Sequence, residues 1–430
     1  MKMSFLNQRQ QKLMRKFGRD AVAIIPSSTL IFRNNDVHYP FRQNSDFWYL
    51  TGFHEPNAVA VLKTDSAGEM IYTLFCQPKD DLAERWHGKR VGLEGVCEHF
   101  GVDMAFSMAD FEEKMVDILS EASRVYTLKA PQLTVPEYQQ SLQSGVLAEW
   151  SNKTYPLEDA LHEMRLIKSS EEIDWMRAAA NISVQAHQYA MSLTQPGMDA
   201  CEVQAALELV IRSKGCSHLA YDSIVAGGSN ACTLHYTENK GALESGDLLL
   251  IDAGAECQCY AADITRTFPV SGRFSDAQRA LYNVVLNAQQ QVIKAVKPGV
   301  NWDVLQKLSV KIIVDGLVSL GILKGSSQAL IKSEAYKRFY MHGVGHWLGL
   351  DVHDVGARHV GKKPRPFEAG MALTVEPGIY IPLESEGVDK KWHGIGIRIE
   401  DDVVVTEDGC DVLTADLIKS PEAIEALMSQ

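Results

Sequence analysis

The feature that most limits the fold is a pattern that occurs twice, as ESGDLLLIDAG at residues 244–254 and EAGMALTVEPG at 368–378. Each reads Glu, any residue, Gly, five residues, an acid, any residue, Gly. Upstream of each stands a matching helix start, PGMD at 196–199 and PGVN at 298–301, whose last residue is a good N-cap. After the first start, Val203, Ala206, Leu207, Val210 and Ile211 recur along one helical face. Each half therefore reads helices first, then a strand ending in a carboxylate: Asp252 in one and Glu376 in the other. Two such halves predict a pseudo-symmetric α/β domain whose acids meet at its centre.

A second pair of acids follows the first. After Asp252 the chain runs AGAECQCYAADITRTF, which suits a hairpin. A turn centred between residues 257 and 258 sets Asp252 opposite Asp263. Glu376 and Glu400 flank ESEGVDKK in the same way. In IGIRIED, alternation puts Ile395, Ile397 and Ile399 on one face and Arg398 and Glu400 on the other. Cross-strand partners lie about 4.5–5.5 Å apart, where like charges destabilise. Raised pKa values or bound cations relieve such crowding. Four carboxylates favour cations.

The stretch MHGVGHWLGLDVHDVG, residues 341–356, adds His342, His346 and His353. Gly343, Gly345 and Gly349 argue against a helix there, each costing roughly 1 kcal/mol against Ala. They argue instead for close approach of backbone to something else. One imidazole joined to four carboxylates makes a mainly oxygen ligand set, suited to Mn, Fe, Co or Zn and too poor in sulfur for structural zinc. Two dications about 3.5–4 Å apart can hold and ionise a bridging water, which is chemistry for hydrolysis.

At 430 residues the chain exceeds the roughly 250–300 at which single cores stop growing, so two domains are expected. Residues 1–165 read as a smaller α/β domain, with strands in DAVAIIPSS and NAVAVLKTD and an amphipathic helix in MADFEEKMVDILSEAS. Residues 166–430 open with a long helix over 169–193, where Ser169 and Glu172 stand at capping-box spacing. A net charge of −13 argues against a nucleic-acid partner. The longest apolar runs are too short to cross a bilayer, and the N-terminus lacks a signal peptide's apolar centre. Eight cysteines without small-domain spacing read as reduced thiols of a cytoplasmic protein, with Cys257 and Cys259 as small strand residues. HEMRL, at 162–166, has Leu where a zinc-binding helix needs its second His.

The motifs IDAG…YAADITRTF, MHGVGHWLGLDVHDVG, TVEPGIY and IGIRIEDDVVV resemble the pita-bread metallopeptidase family, most closely its aminopeptidase P branch. RNNDVHYPFRQNSDFWYLTGFHEPNAV, at 33–59, resembles that branch's small domain, so the likeness covers nearly the whole chain. The resemblance implies an Xaa-Pro aminopeptidase acting on peptides with proline second. It implies two divalent ions, Mn foremost with Co, Zn or Fe as alternatives, held by Asp252, Asp263, His346, Glu376 and Glu400, of which Asp263 and Glu400 bridge. Glu376 becomes the proton shuttle, His235, His342, His353 and Arg398 further catalytic residues, and Tyr221, Tyr380 and Trp86 substrate-pocket aromatics. Trp86 would reach a neighbouring subunit of a homo-oligomer, a dimer or a tetramer. An arginine is also expected between His346 and Glu376, where Arg358, Lys363 and Arg365 are candidates.

Two readings compete with this one. Prolidase uses the same metals but cleaves only dipeptides. Non-catalytic peptide-binding modules share the fold but have lost metal ligands, and all five positions are filled here.

Overall fold

The computed structural model describes residues 3–128, 136–143 and 145–429. It divides into two compact units, Met1–Arg165 and Leu166–Gln430.

The first unit is built on a six-stranded mixed sheet, in the order Met104–Ser107, Met70–Cys76, Val59–Thr64, Ala21–Pro26, Arg124–Thr127, Thr154–Pro156. Its Ala21–Pro26 strand, AVAIIP, is buried throughout rather than alternately, as expected where both faces of a sheet are covered. Val22, Ile24, Val59 and Val61 pack there against Phe111 and Met115 of the Phe111–Ser120 helix. Each such buried side chain contributes about 1.5–3 kcal/mol. The acid Asp46 is buried beside Arg165, 2.7 Å away, and His162, 3.3 Å away.

The second unit contains the two halves. Each carries two long helices, Ser170–Leu193 with Ala200–Ser213 and Asp276–Ala295 with Trp302–Ser319. Ser169 and Asp199 close full capping boxes, and Asn301 caps the fourth helix. The repeated strands are Leu248–Asp252 and Ala372–Val375, each buried along its length. The first lies antiparallel between Ile224–Gly227 and Thr265–Pro269, and the second pairs with Asp401–Val405. A shared core packs Val203, Leu207 and Ile211 of the helices against Leu249, Ile251, Ile397 and Ile399 of the strands.

The two hairpins differ in how well the sequence forecasts their register. In the second half, Val375 faces Asp401 and Gly378 faces Arg398, so Glu376 and Glu400 fall opposite one another as the symmetry predicted. In the first half the turn lies one residue later than expected. Gln258 and Cys259 form it, with φ of 51° and 63°, between paired Cys257 and Tyr260. Such a two-residue turn needs positive φ at both central positions. Cys259 is therefore a turn residue, not a strand residue. The register also moves by two, so that Asp252 faces Thr265 and not Asp263. A shift of two keeps both acids on one face of the sheet, so the error in register leaves the acids together.

The two halves are stitched side by side along residues 265–267 and 398–400. Glu400 N–H donates to Thr265 O, and Arg398 N–H to Thr267 Oγ1. Thr267 Oγ1 donates in turn to Arg398 O.

Candidate metal centre

The repeated strands end at one cleft of about 590 Å³ in the second unit, lined by Tyr221, His235, Asp252, Asp263, His342, His346, His353, Arg358, Glu376, Arg398 and Glu400. Strand alternation puts the acids there. Asp252 closes its buried strand, Glu376 follows its own, and Glu400 lies two residues beyond Arg398 on the same face. Asp263 comes close because Gly254 stands opposite it, and a Cβ on Gly254 would lie 1.8 Å from Ala262 O.

The histidine stretch forms no helix. Residues 344–348 run as an extra edge along the Ala372–Val375 strand, with Glu376 N donating to Val344 O, Thr374 N to His346 O, and Leu348 N to Ala372 O. Gly345 permits this approach, since its Cβ would lie 2.0 Å from Thr374 O. His346 Nδ1 is 2.9 Å from Trp347 O, which can only accept, so Nδ1 carries the proton. That leaves Nε2 facing the acids, 3.3 Å from Asp263 and 3.7 Å from Glu376. A backbone partner that fixes the tautomer in this way is the usual arrangement for a metal-binding imidazole.

Charge in the cleft is unbalanced. Arg398 is the cation on the acids' own face, its Nη2 2.5 Å from Asp252 Oδ2. Burial and three neighbouring carboxylates push Glu400 well above the usual carboxylate range. Burial, with Asp263 and Asp252 nearby, raises Glu376 to about 7 despite the His346 and Arg398 charges. Burial works against a charged His346, but its hydrogen bond to Asp263 and the charges of Asp263 and Glu376 raise it to about 9. Protons thus stand in for missing positive charge. Asp263, His346 and Glu400 each offer a ligand atom, all within 4.8 Å of one another. Oxygen-rich donors, one imidazole and a shortage of positive charge fit divalent cations.

Several of the expected residues make contacts that the sequence does not specify. Tyr221 lines the cleft and also reaches the acids, its hydroxyl 2.5 Å from both Asp252 Oδ1 and Asp263 Oδ1. Tyr380 is fully buried behind the residues that line the cleft. It takes a hydrogen bond from Arg398 Nη1 at 3.0 Å and meets His342 Nε2 at 2.9 Å. His342 Nδ1 is 2.8 Å from Gly343 O and must donate to it, which makes Nε2 the acceptor of the Tyr380 hydroxyl. Both ring nitrogens of His342 are thereby engaged within the protein, and burial holds the ring neutral, its pKa lowered to about 4. From its place on the cleft lining, His342 thereby orients Tyr380 and, through it, Arg398. His353 packs edge-on against His346, with ring centroids 4.4 Å apart. Trp86 is 78% exposed on the Asp81–His87 helix. Among the three basic candidates, Arg358 alone lines the cleft, donating to Gly345 O at 2.8 Å and lying over the Trp302 ring.

Other supports were not anticipated. Thr265 Oγ1 donates to Glu400 Oε2 at 2.7 Å and accepts from Arg398 Nε at 3.0 Å. Its place two residues after Asp263, on the same face, was the available signal. Beneath Glu400, buried Arg266 donates to Glu400 O and to Asp401, which Lys419, Gln289 and Thr414 also bind. Lys168 and Asp354, both buried, pair at 2.8 Å and anchor the chain just after His353.

A cleft of acids and imidazoles at the seam of two similar halves defines a metal-dependent hydrolase. The model of metallopeptidase family M24 matches residues 174–407, and that of the aminopeptidase P N-terminal domain matches 6–126. The chain is 42% identical to the Xaa-Pro aminopeptidase of Escherichia coli strain K12, over 98% of this chain and 96% of that protein. It is 45% identical to the Haemophilus influenzae Xaa-Pro aminopeptidase, over 92% and 90%. The solved structure of Pseudomonas aeruginosa aminopeptidase PepP superposes with a TM-score of 0.95 at 44% identity, covering 100% of this chain and 98% of that one. Zinc-substituted Escherichia coli aminopeptidase P in complex with product gives 0.95 at 40%, with the same coverage. The chain belongs to metallopeptidase family M24, in its aminopeptidase P branch.

Proposed function

We propose that this chain is a metal-dependent Xaa-Pro aminopeptidase, releasing the first residue of peptides whose second residue is proline. The observation that carries the reading is the convergence of Asp252, Asp263, His346, Glu376 and Glu400 on one cleft of a chain similar to Xaa-Pro aminopeptidases along nearly its whole length.

Two divalent ions, Mn foremost with Co, Zn or Fe as alternatives, would be held by those five residues, with Asp263 and Glu400 shared. Bound there, they supply Lewis acidity and a water that ionises near neutral pH. The protein's own groups do the rest. Glu376 takes a proton from the attacking water and passes it to the proline nitrogen as the bond breaks. Arg398, tied to Thr265, Tyr380 and Asp252, fixes the ligand Asp252 and limits repulsion among the acids. His353 and His235 line the cleft, where a ring N–H can steady charge developing on the carbonyl oxygen. A proline amide has no N–H and a fixed ring, so its recognition rests on the cleft walls rather than on a backbone hydrogen bond.

Hydrolysis of an Xaa-Pro dipeptide, an Xaa-Pro-Yaa tripeptide and longer peptides tests the reading. Release of the first residue from all lengths above two is expected. N-terminal acetylation should stop cleavage, and Ala in place of the second-position Pro should slow it severely. Cleavage confined to dipeptides would transfer the assignment to prolidase.

A homo-oligomer, dimer or tetramer, and a cytoplasmic setting belong to the same proposal. Leu82 and Trp86, strongly exposed one helical turn apart, support self-association. No described helix is long and apolar enough to cross a membrane. Sedimentation of the metal-loaded protein and cell fractionation test these two points.

A further inference from the structure

Away from the cleft, the sulfur atoms of Cys216 and Cys257 lie 2.9 Å apart although 41 residues separate them in sequence. Both are free thiols. Cys216 sits in the turn between the Ala200–Ser213 helix and the His218–Leu219 strand, and Cys257 closes the Ala255–Cys257 strand. Those two strands are paired, Ala255 against Leu219 and Glu256 against His218, so a backbone ladder holds the sulfurs at this distance. Cys216 is buried and Cys257 partly exposed, which gives a small oxidant access from one side. Neither lines the cleft. Either sulfur can donate to the other across this contact, so whichever thiol ionises is held by its partner's S–H.

We propose that Cys216 and Cys257 are a redox modification site, oxidised by peroxides to a reversible disulfide that staples the two segments supporting the acid cluster. The thiolate of one cysteine attacks one peroxide oxygen and the O–O bond breaks, leaving a sulfenic acid on that cysteine and, after protonation, one water. The sulfur of the second cysteine then attacks the first, the S–O bond breaks, and the departing hydroxyl takes the second thiol's proton as a second water. Two thiols are oxidised and one peroxide is reduced. Bonded sulfurs sit about 2.05 Å apart, so closure requires less than 1 Å of approach. The staple acts on the site's supports. Two residues beyond the first strand stands Tyr221, which binds Asp252 and Asp263, and the second strand leads back through Gly254 to Asp252 itself.

The test treats the metal-loaded, full-length protein with hydrogen peroxide, alkylates remaining thiols after unfolding, and maps peptides by mass spectrometry with and without dithiothreitol. A linked Cys216–Cys257 peptide, lost on reduction, is the expected result. Exposed Cys97 and Cys201 report general oxidation in the same sample. Peroxide should raise the melting temperature of the wild type by several degrees and leave that of Cys257→Ser unchanged. The proposal is overturned if both cysteines are alkylated as fully as Cys97 after treatment, or if each over-oxidises singly. An unchanged melting temperature in a fully linked sample would overturn the staple.

Discussion

Gly343 and Gly345 are two residues apart, yet they should respond oppositely to one added methyl group. A Cβ at Gly345 would lie 2.0 Å from Thr374 O and 2.9 Å from Thr374 C, both backbone atoms of a buried strand. At Gly343 the nearest atom would be 3.8 Å away, an ordinary contact. Neither glycine has positive φ, so the difference is steric and not conformational. Relieving the overlap at Gly345 means separating residues 344–346 from the Ala372–Val375 strand. Hydrogen bonds from Thr374 N to His346 O, 3.0 Å, and from His346 N to Thr374 Oγ1, 3.1 Å, are then the first to go. Each contributes about 1 kcal/mol, and overpacking a well-filled site costs about 1–3 kcal/mol more. Gly345→Ala should therefore lose about 3–5 kcal/mol, roughly 10 °C in melting temperature for a unit of this size. Gly343→Ala should be neutral, or stabilise by up to about 1 kcal/mol through the unfolded chain. Calorimetry and urea titration of the metal-free proteins measure both. Because the displaced segment carries His346, Mn titration should show affinity lowered about 10–100-fold in Gly345→Ala alone. Equal stability and equal metal affinity in the two variants would refute the close-approach reading of this glycine.

Three further outcomes are expected. His346→Ala and Glu400→Ala should lose metal and activity together, whereas His353→Ala should keep its metal and fall by about 10²–10³ in kcat; metal content measured beside kcat separates them. Chelation should abolish activity, and saturating Mn should restore it while raising stability by about 2.7 kcal/mol for each ion bound at a hundredfold excess over its Kd; an apo protein that melts with the loaded one would contradict this. Burial raises the Asp46 carboxyl, but the His162 hydrogen bond and the Arg165 charge outweigh it and hold the group below its ordinary value. A carboxyl depressed in the folded state adds stability above its unfolded pKa and loses it as pH falls through the folded value. Asp46→Asn should accordingly cost about 3 kcal/mol at pH 7, with the gap to wild type narrowing as pH falls below the ordinary carboxylate value of about 4; pH-resolved urea titrations give that gap directly.

What the sequence determined by itself is whatever repeats or alternates. Period two carried Arg398 and Glu400 to one strand face and three isoleucines to the other. The doubled Glu-x-Gly pattern announced two halves, and local N-cap chemistry marked where their helices begin. These signals are legible because each depends on residues within a few positions of one another. Tertiary structure decided the rest. The turn at Gln258–Cys259 was chosen by a backbone able to take positive φ twice, and it moved the partner of Asp252 to Thr265. His342 and Tyr380 were both legible as site residues. Only the direction of their hydrogen bonds, set by an acceptor-only carbonyl at Gly343 and the Arg398 guanidinium, showed that His342, on the cleft lining, holds the buried Tyr380 hydroxyl. Arg358 was separated from Lys363 and Arg365 by the fold of the loop that carries all three. Arg266 beneath Glu400 and Cys216 beside Cys257 meet partners 134 and 41 residues away. No local period encodes such meetings, because the backbone that brings the groups together is itself a product of the folded core.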